Sequence, residues 1–333
     1  MEGTSLIVLN VLPDGQIIDP LIQYPLYDDY QHAIVISRTK KFLVVGSGDR
    51  TSVFQVQNDG TISQTSYSTT GSGFWVDITP DEFLVLAYNI YELSTAGQLN
   101  YTGNIVLGTW GHINPLGNPV LTNWGGNNVA AQRIDYVSKT VSTITTIQGG
   151  PGMWEAVWTP DGSLALVIGP TPSPTNNDRI WVLGLDSTGS IVTTGQTLIS
   201  FIRPIHNIAF NRSGTIALCS AEDSVFTLSI DTVTKVISDT GIWNGQPVVG
   251  GSDMYKLRIT PDDRLAIVAY NDPTDYRTWL ATAFLNWDGS LTWTGYRFPY
   301  DAYYTSSGDG LYDMELVAVY VTAVPAELWK ELE

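Results

Sequence analysis

The chemistry open to this chain has to come from few parts, because it carries three histidines, one cysteine and 16 Lys plus Arg against 33 Asp plus Glu. Imidazole is the side chain whose ordinary pKa lies nearest neutrality, and as a neutral ring it binds metals. His32, His112 and His206 are therefore the first candidates for proton transfer or metal ligation. They lie 80 and 94 residues apart, so no local motif unites them and only a repeating fold could bring them together. Other routes are closed: there is no phosphate loop, nucleophile elbow, metalloprotease helix or Cys cluster. Gly46-Ser47-Gly48 reads as a loop serine. Cys219, alone in the apolar run Ala217-Leu218-Cys219, reads as a small buried hydrophobe, and no intrachain disulfide can form.

A suitable repeat is present. Its clearest copy runs over 152–167: an alternating strand ending at Trp158, a Thr159-Pro160-Asp161-Gly162 turn, and the apolar strand Leu164-Ala165-Leu166-Val167. Proline pre-sets φ in such a turn and glycine accepts positive φ. Closely similar turns are Thr79-Pro80-Asp81 and Thr260-Pro261-Asp262, with looser copies at Ser37-Arg38-Thr39 and Asn211-Arg212-Ser213-Gly214. The apolar residue before the turn recurs at Ile36, Ile78, Leu116, Trp158, Phe210 and Ile259, and again at Val319, with spacings of 38 to 60. Units of that length with strand signals throughout, about four strands each, are the mark of a β-propeller.

The first unit reads as strands a, b, c and d at 33–37, 42–46, 52–56 and 61–67. The N-terminus, with Pro13-Asp14-Gly15 between the apolar runs 6–11 and 17–18, matches strands c and d instead. The chain is thus expected to start mid-blade and to be completed by strands from the C-terminus at 314–321. The expectation is an all-β, seven-bladed propeller of four-stranded antiparallel blades, the last closed by N-terminal and C-terminal strands. Six blades is the alternative, should the weak unit 113–147 be misread. Residues 1–325 form one domain in this reading, and 326–333 a tail or short helix.

Stepping back four positions from each central residue gives His32, Phe74, His112, Trp154, His206, Tyr255 and Glu315. Strand a lines a propeller's channel, so these seven side chains are expected to ring one channel mouth. Three uses compete. The rings can simply plug the channel. Phe74, Trp154 and Tyr255 can wall a binding site with the histidines, for a cationic or sugar-like small molecule or a peptide. His32, His112, His206 and Glu315 can hold iron, zinc or manganese on the axis. Glu155 is expected on the opposite face of its strand. The b to c loops bring Asp49, Arg50, Glu222, Asp223, Asp272, Asp275 and Arg277 to the same mouth, joined by Asp28 and Asp29, as solvated charges without a calcium-loop spacing.

Charged residues are 15% of the chain and formal net charge is −17. With no basic cluster, nucleic acid and anionic membrane surfaces are excluded as partners. No apolar stretch is long enough to span a bilayer. The reading is a soluble monomer, with the low lysine content leaning towards a secreted or periplasmic origin.

The Thr-Pro-Asp turns between an a strand and a Leu-rich b strand, at 79–82, 159–162 and 260–263, resemble those of the lactonase-type and YVTN-type seven-bladed propellers. That resemblance implies the fold over nearly the full length. It also implies hydrolysis of sugar lactones by His, Arg and acidic side chains at the channel mouth, where His206 after Arg203-Pro204-Ile205 is similar. Other seven-bladed propellers hold iron on the axis with four histidines, against three and a Glu in this chain. The leading expectation is a binding propeller; a lactonase-like or metal-dependent hydrolase using the same His ring, and a protein-interaction scaffold, are the alternatives. Whether the chain is an enzyme stays open at this point.

Overall fold

The computed structural model describes residues 5–25, 31–47, 50–57, 60–68, 75–108, 110–123, 128–147, 155–170, 178–201, 205–221, 223–245, 247, 254–272 and 277–303. Their regular structure is entirely β. Each internal repeat folds as one four-stranded antiparallel sheet with its strands in chain order, and six such blades follow one another. The first strands are Gln31–Ile36, Asp77–Ile78, Gly111–Ile113, Glu155–Trp158, Ile205–Phe210 and Met254–Ile259 in blades 1 to 6. First strands of successive blades lie against one another. Outermost strands such as Leu99–Ile105 alternate between exposed and half-buried, whereas the second strand of blade 6, Leu265–Asp272, is buried at every position. That contrast explains the unbroken apolar b strands, which are covered on both faces by neighbouring blades.

The core lies in the gaps between blades. One gap packs Leu164, Leu166, Ile180 and Val182 of blade 4 against Ile208, Cys219 and Phe226 of blade 5. Cys219 is fully buried there, and burial, with Asp239 adding, pushes its thiol well up. An inert hydrophobe is the role it fills.

The a to b turns obey one plan. Ser37, Thr79, Asn114, Thr159, Asn211 and Thr260 each donate their backbone N–H to the carbonyl that opens the b strand. In the Thr-Pro-Asp copies the hydroxyl donates to the aspartate two residues on, at 2.6 Å in all three. The third residue after the cap is left-handed, with φ 70° at Gly162 and 59° at both Glu82 and Asp263. A non-glycine residue there carries a strain of about 1 kcal/mol. Glu82 and Asp263 offset it by accepting hydrogen bonds from the preceding blade, Glu82 from Thr39 and Asp263 from the Arg212 N–H at 2.7 Å. The turn acids are thus ties between blades.

The outer edge carries a second repeated device, in Thr102-Gly103-Asn104, Thr194-Gly195-Gln196, Thr240-Gly241-Ile242 and Thr294-Gly295-Tyr296. Each threonine hydroxyl donates to a carbonyl of strand c at 2.8–3.0 Å and accepts the N–H two residues on at 3.1–3.3 Å. Each glycine has positive φ, and the ladder slips register at that point. These are β-bulges, which turn an exposed edge away from a second chain.

The N-terminal strands Ser5–Val11 and Ile17–Pro25 form a separate two-stranded hairpin. It sits between blade 6 and blade 1. Thr282 of blade 6 donates its hydroxyl to the Gly15 carbonyl at 2.6 Å, the joint by which Thr227 of blade 5 holds Gly289 of blade 6 at 2.7 Å. On the other side Val8 packs on Leu43, Val45, Phe54 and Ile62 of blade 1. The expected c and d character of this hairpin is therefore seen, but the expected count of seven four-stranded blades is not. The described residues hold six, because the hairpin brings two strands, and the segment 314–321 invoked to complete a seventh blade lies outside the described residues. So does 326–333.

Candidate functional site

Strand a is the inner edge of each sheet, so half its backbone N–H and C=O groups lack a ladder partner. Two side chains make up the deficit between neighbouring blades. Asp77 of blade 2 accepts the N–H of Ile113 in blade 3 at 2.8 Å, and Asn207 of blade 5 accepts that of Leu257 in blade 6 at 3.0 Å. Both are buried. Burial pushes the Asp77 carboxyl up, while the charge of His112 and the N–H groups of Ile113 and Ile78 pull it back.

Around these ties lies an ionic cluster. His112 Nε2 stands 3.8 Å from Glu155 Oε1, and Lys256 Nζ stands 3.7 Å from Glu155 Oε2. Such distances are long for hydrogen bonds yet close for charge coupling. His112 remains 36% exposed, against 18% for each of the other two, so solvent reaches the imidazole. Arg258 donates from Nη1 to Asn207 Oδ1 at 3.0 Å and to the Leu257 carbonyl at 2.9 Å. The Trp158 indole N–H donates to the His112 carbonyl at 3.3 Å, which fixes the strand carrying the imidazole. Asp77, His112, Glu155, Asn207, Lys256 and Arg258 thus come from the inner strands of five successive blades.

Chemically, an accessible imidazole beside a carboxylate can take a proton from water and be stabilised once charged. Two cations held on one inner strand can stabilise negative charge developing on an oxygen. An imidazole–carboxylate pair and two cations therefore stand on the inner strands of blades 3, 4 and 6.

Of the seven residues expected to ring the channel mouth, the backbone ladder groups three. His32, His206 and Tyr255 occupy one structural position, for the ladder skips a residue between Gln31 and Ala33, between Ile205 and Asn207, and between Met254 and Lys256. A bulge at the start of strand a recurs in these three blades, and bulges re-aim side chains. His206 is half-buried there, while the side chains of His32 and Tyr255 lie outside the described residues. Phe74, Trp154 and Glu315 lie wholly outside them.

His112 does not belong to that position. The turn cap of blade 3 is Asn114, which donates to the Pro119 carbonyl just as Thr79 donates to Leu84. The central residue is therefore Ile113, not Leu116, and His112 aligns with Asp77, Val157 and Arg258. A shortened turn moved the alignment by three residues. Glu155, expected on the far face, is instead the partner of His112. Alternation orders residues within one strand, and this contact is made between strands of adjacent blades.

Among the described residues no group of three His, Cys, Asp or Glu is gathered to hold a metal. The mouth carboxylates Asp28, Asp29, Asp49, Glu222 and Asp275 fall outside the described residues, as does the side chain of Arg277. Arg50 lies over the Tyr67 ring at 4.7 Å. Asp272, 5% exposed, stands 3.7 Å from Arg297, whose guanidinium lies over Trp279 at 4.4 Å. These charges brace strand ends.

No family model matches the chain, and no curated protein matches it by sequence. Solved structures do. The periplasmic gluconolactonase of Pseudomonas aeruginosa superposes with a TM-score of 0.68 at 14% identity, over 88% of this chain and 92% of that one. A proposed 6-phosphogluconolactonase of Bacteroides fragilis gives 0.70 at 14% identity, over 90% and 93%. The fold is a β-propeller similar to those of these lactonase-like proteins, here with six four-stranded blades among the described residues. A hypothetical selenium-binding protein of Sulfolobus tokodaii also superposes, at 0.63 and 12% identity over 89% and 88%, so this architecture does not by itself name an activity. Among the described residues no helix is long and apolar enough to cross a membrane.

Proposed function

We propose that the protein binds a small polyhydroxylated molecule in its axial channel and opens a lactone ring there by hydrolysis. The observation that carries this reading is the meeting of His112, Glu155 and Lys256 from three blades. In the proposed step His112 takes a proton from water as the water oxygen bonds to the lactone carbonyl carbon, and Glu155 stabilises the imidazolium formed. Lys256 and Arg258 stabilise the oxyanion of the tetrahedral intermediate. On its collapse the bond to the ring oxygen breaks, and that oxygen takes the proton from the imidazolium, leaving a hydroxy acid. The likeness to a gluconolactonase supports sugar lactones as the class and, with the low lysine content, a periplasmic or secreted setting.

The test is release of acid from a panel of aldonolactones, starting with glucono-δ-lactone, measured against the buffer rate. The wild-type protein accelerates ring opening, and His112→Ala lowers kcat/KM by about 10²-fold or more. A folded wild-type protein that accelerates no lactone would overturn the hydrolytic step. Binding of the sugar acids without turnover would leave a binding propeller, and failure of both would leave a protein-interaction scaffold.

A further inference from the structure

Asn207 is 1% exposed and only half satisfied. Its Oδ1 accepts two donors at 3.0 Å, the Leu257 N–H and Arg258 Nη1. Its Nδ2 is buried with no hydrogen-bond partner. The amide cannot be turned over to relieve this, because two donors converge on the oxygen and a flipped NH₂ would face both. Leaving a buried amide donor unmade costs roughly 1–3 kcal/mol. An apolar residue of similar shape would avoid that cost but would release Arg258. Asn207 also stands on the inner strand between those bearing Glu155 and Lys256, which couple past it at 3.7 Å.

We infer that Asn207 is the positioning residue of the axial site: its oxygen fixes the Arg258 guanidinium, and its NH₂ is held ready for an oxyanion of the bound molecule. This rests on the reading of the channel as the ligand site. The group that suits the NH₂ is one with lone pairs and no hydrogen, beside the fixed charges of Lys256 and Arg258: a carboxylate or a phosphate. In an acidic chain that repels anions at long range, Lys256 is already coupled to Glu155, so the local preference for an anion comes from the Arg258 charge and the spare amide donor beside it.

The experiment is calorimetry with three probes, D-gluconate, inorganic phosphate and the neutral polyol D-glucitol, on wild type, Asn207→Asp and Asn207→Ala. The aspartate keeps both accepted hydrogen bonds, removes the NH₂ and cancels the Arg258 charge. Wild type is expected to bind one or both anions and not glucitol, and both variants, where they retain a cooperative thermal transition, to bind them about tenfold or more weakly. Since a substitution at a buried site can fail to fold, a second readout uses wild type alone: the side-chain amide resonances of Asn207 shift on adding the anion that binds. Folded variants that bind like wild type, amide resonances that do not move, or a wild type that binds neither anion would each overturn the inference. Lactone hydrolysis without anion binding sinks this inference alone. Anion binding lost in Asn207→Asp, in a protein that hydrolyses nothing, sinks the hydrolase reading alone.

Discussion

Lys256 of blade 6 reaches past blade 5 to Glu155 of blade 4, Nζ to Oε2 3.7 Å, so two inner strands that are not neighbours in the ring are coupled across the axis. Each side chain is 18% exposed, and removing either leaves a largely buried charge with less compensation. Lys256→Met and Glu155→Gln are each expected to destabilise the fold by about 1–2 kcal/mol. The double variant should regain part of the loss, since it removes both charges. A double-mutant cycle by chemical denaturation checks this, and strictly additive losses would show that the two groups are not coupled.

Asp161 sets an acid limit on one tie between blades. Partial burial works to raise its pKa, but the Lys235 ammonium, the Thr159 hydroxyl and the Ser163 N–H and hydroxyl hold its carboxyl far below the usual range. Lys235 comes from blade 5 and meets Asp161 of blade 4 at 2.7 Å. A carboxyl depressed in the folded state adds stability at pH values above its unfolded pKa of about 3.9, and that contribution is lost as pH falls below it. The pair is about half exposed, so its worth is about 0.5–1 kcal/mol. Lys235→Met should therefore lower the Tm at pH 7 and have a much smaller effect near pH 2. An equal effect at both pH values would assign the loss to packing.

Two glycines separate backbone strain from crowding. Gly97 and Gly103 have φ of 76° and 83°, yet a Cβ on Gly97 would lie 2.6 Å from Thr65 Oγ1 and 2.9 Å from Phe42 Cε1, while one on Gly103 meets nothing within 4 Å. Gly103→Ala should cost about 1 kcal/mol, the strain alone. Gly97→Ala adds overpacking of about 1–3 kcal/mol at a joint between blades. Equal denaturation midpoints for the two variants would contradict the packing.

The outer bulges give a chemical prediction. Replacing Thr240 by Val removes a hydroxyl that donates to the Thr227 carbonyl at 2.8 Å and accepts from the Ile242 N–H at 3.1 Å. A loss of about 1–2 kcal/mol is expected, with faster exchange of the Ile242 amide. An unchanged exchange rate would mean that the bulge holds without its threonine.

Much of this architecture is legible in the residues because the Thr-Pro-Asp turn demands particular types: a hydroxyl to bond the aspartate, a proline for φ, and a residue that tolerates the left-handed region. Blade 3 hides its register, because Asn114 performs the threonine's task with a carboxamide and Leu116 imitates the apolar residue before the turn. His112 consequently stood three positions from its true equivalents. The pairing of His112 with Glu155 could not be read from alternation, which is silent on contacts between strands of different blades. Lys256-Leu257-Arg258 did carry a signal. Two cations at alternate positions of an inner strand, in a chain with 16 basic residues, mark an axis that is not merely plugged by apolar side chains. Asn207 left no such trace, since a buried asparagine in a strand shows its purpose only when its two partners are seen.

The hydroxyl of Thr282 grips the Gly15 carbonyl across 267 positions of sequence. Blade 1 gives this hairpin one wall of its seat, but the other wall does not exist until blade 6 has been made. Blades 1 to 5 can form in order of synthesis, but the seam can only be sewn once blade 6 has emerged. Until then one side of the hairpin is unsheltered, and that side is the natural foothold for a chaperone.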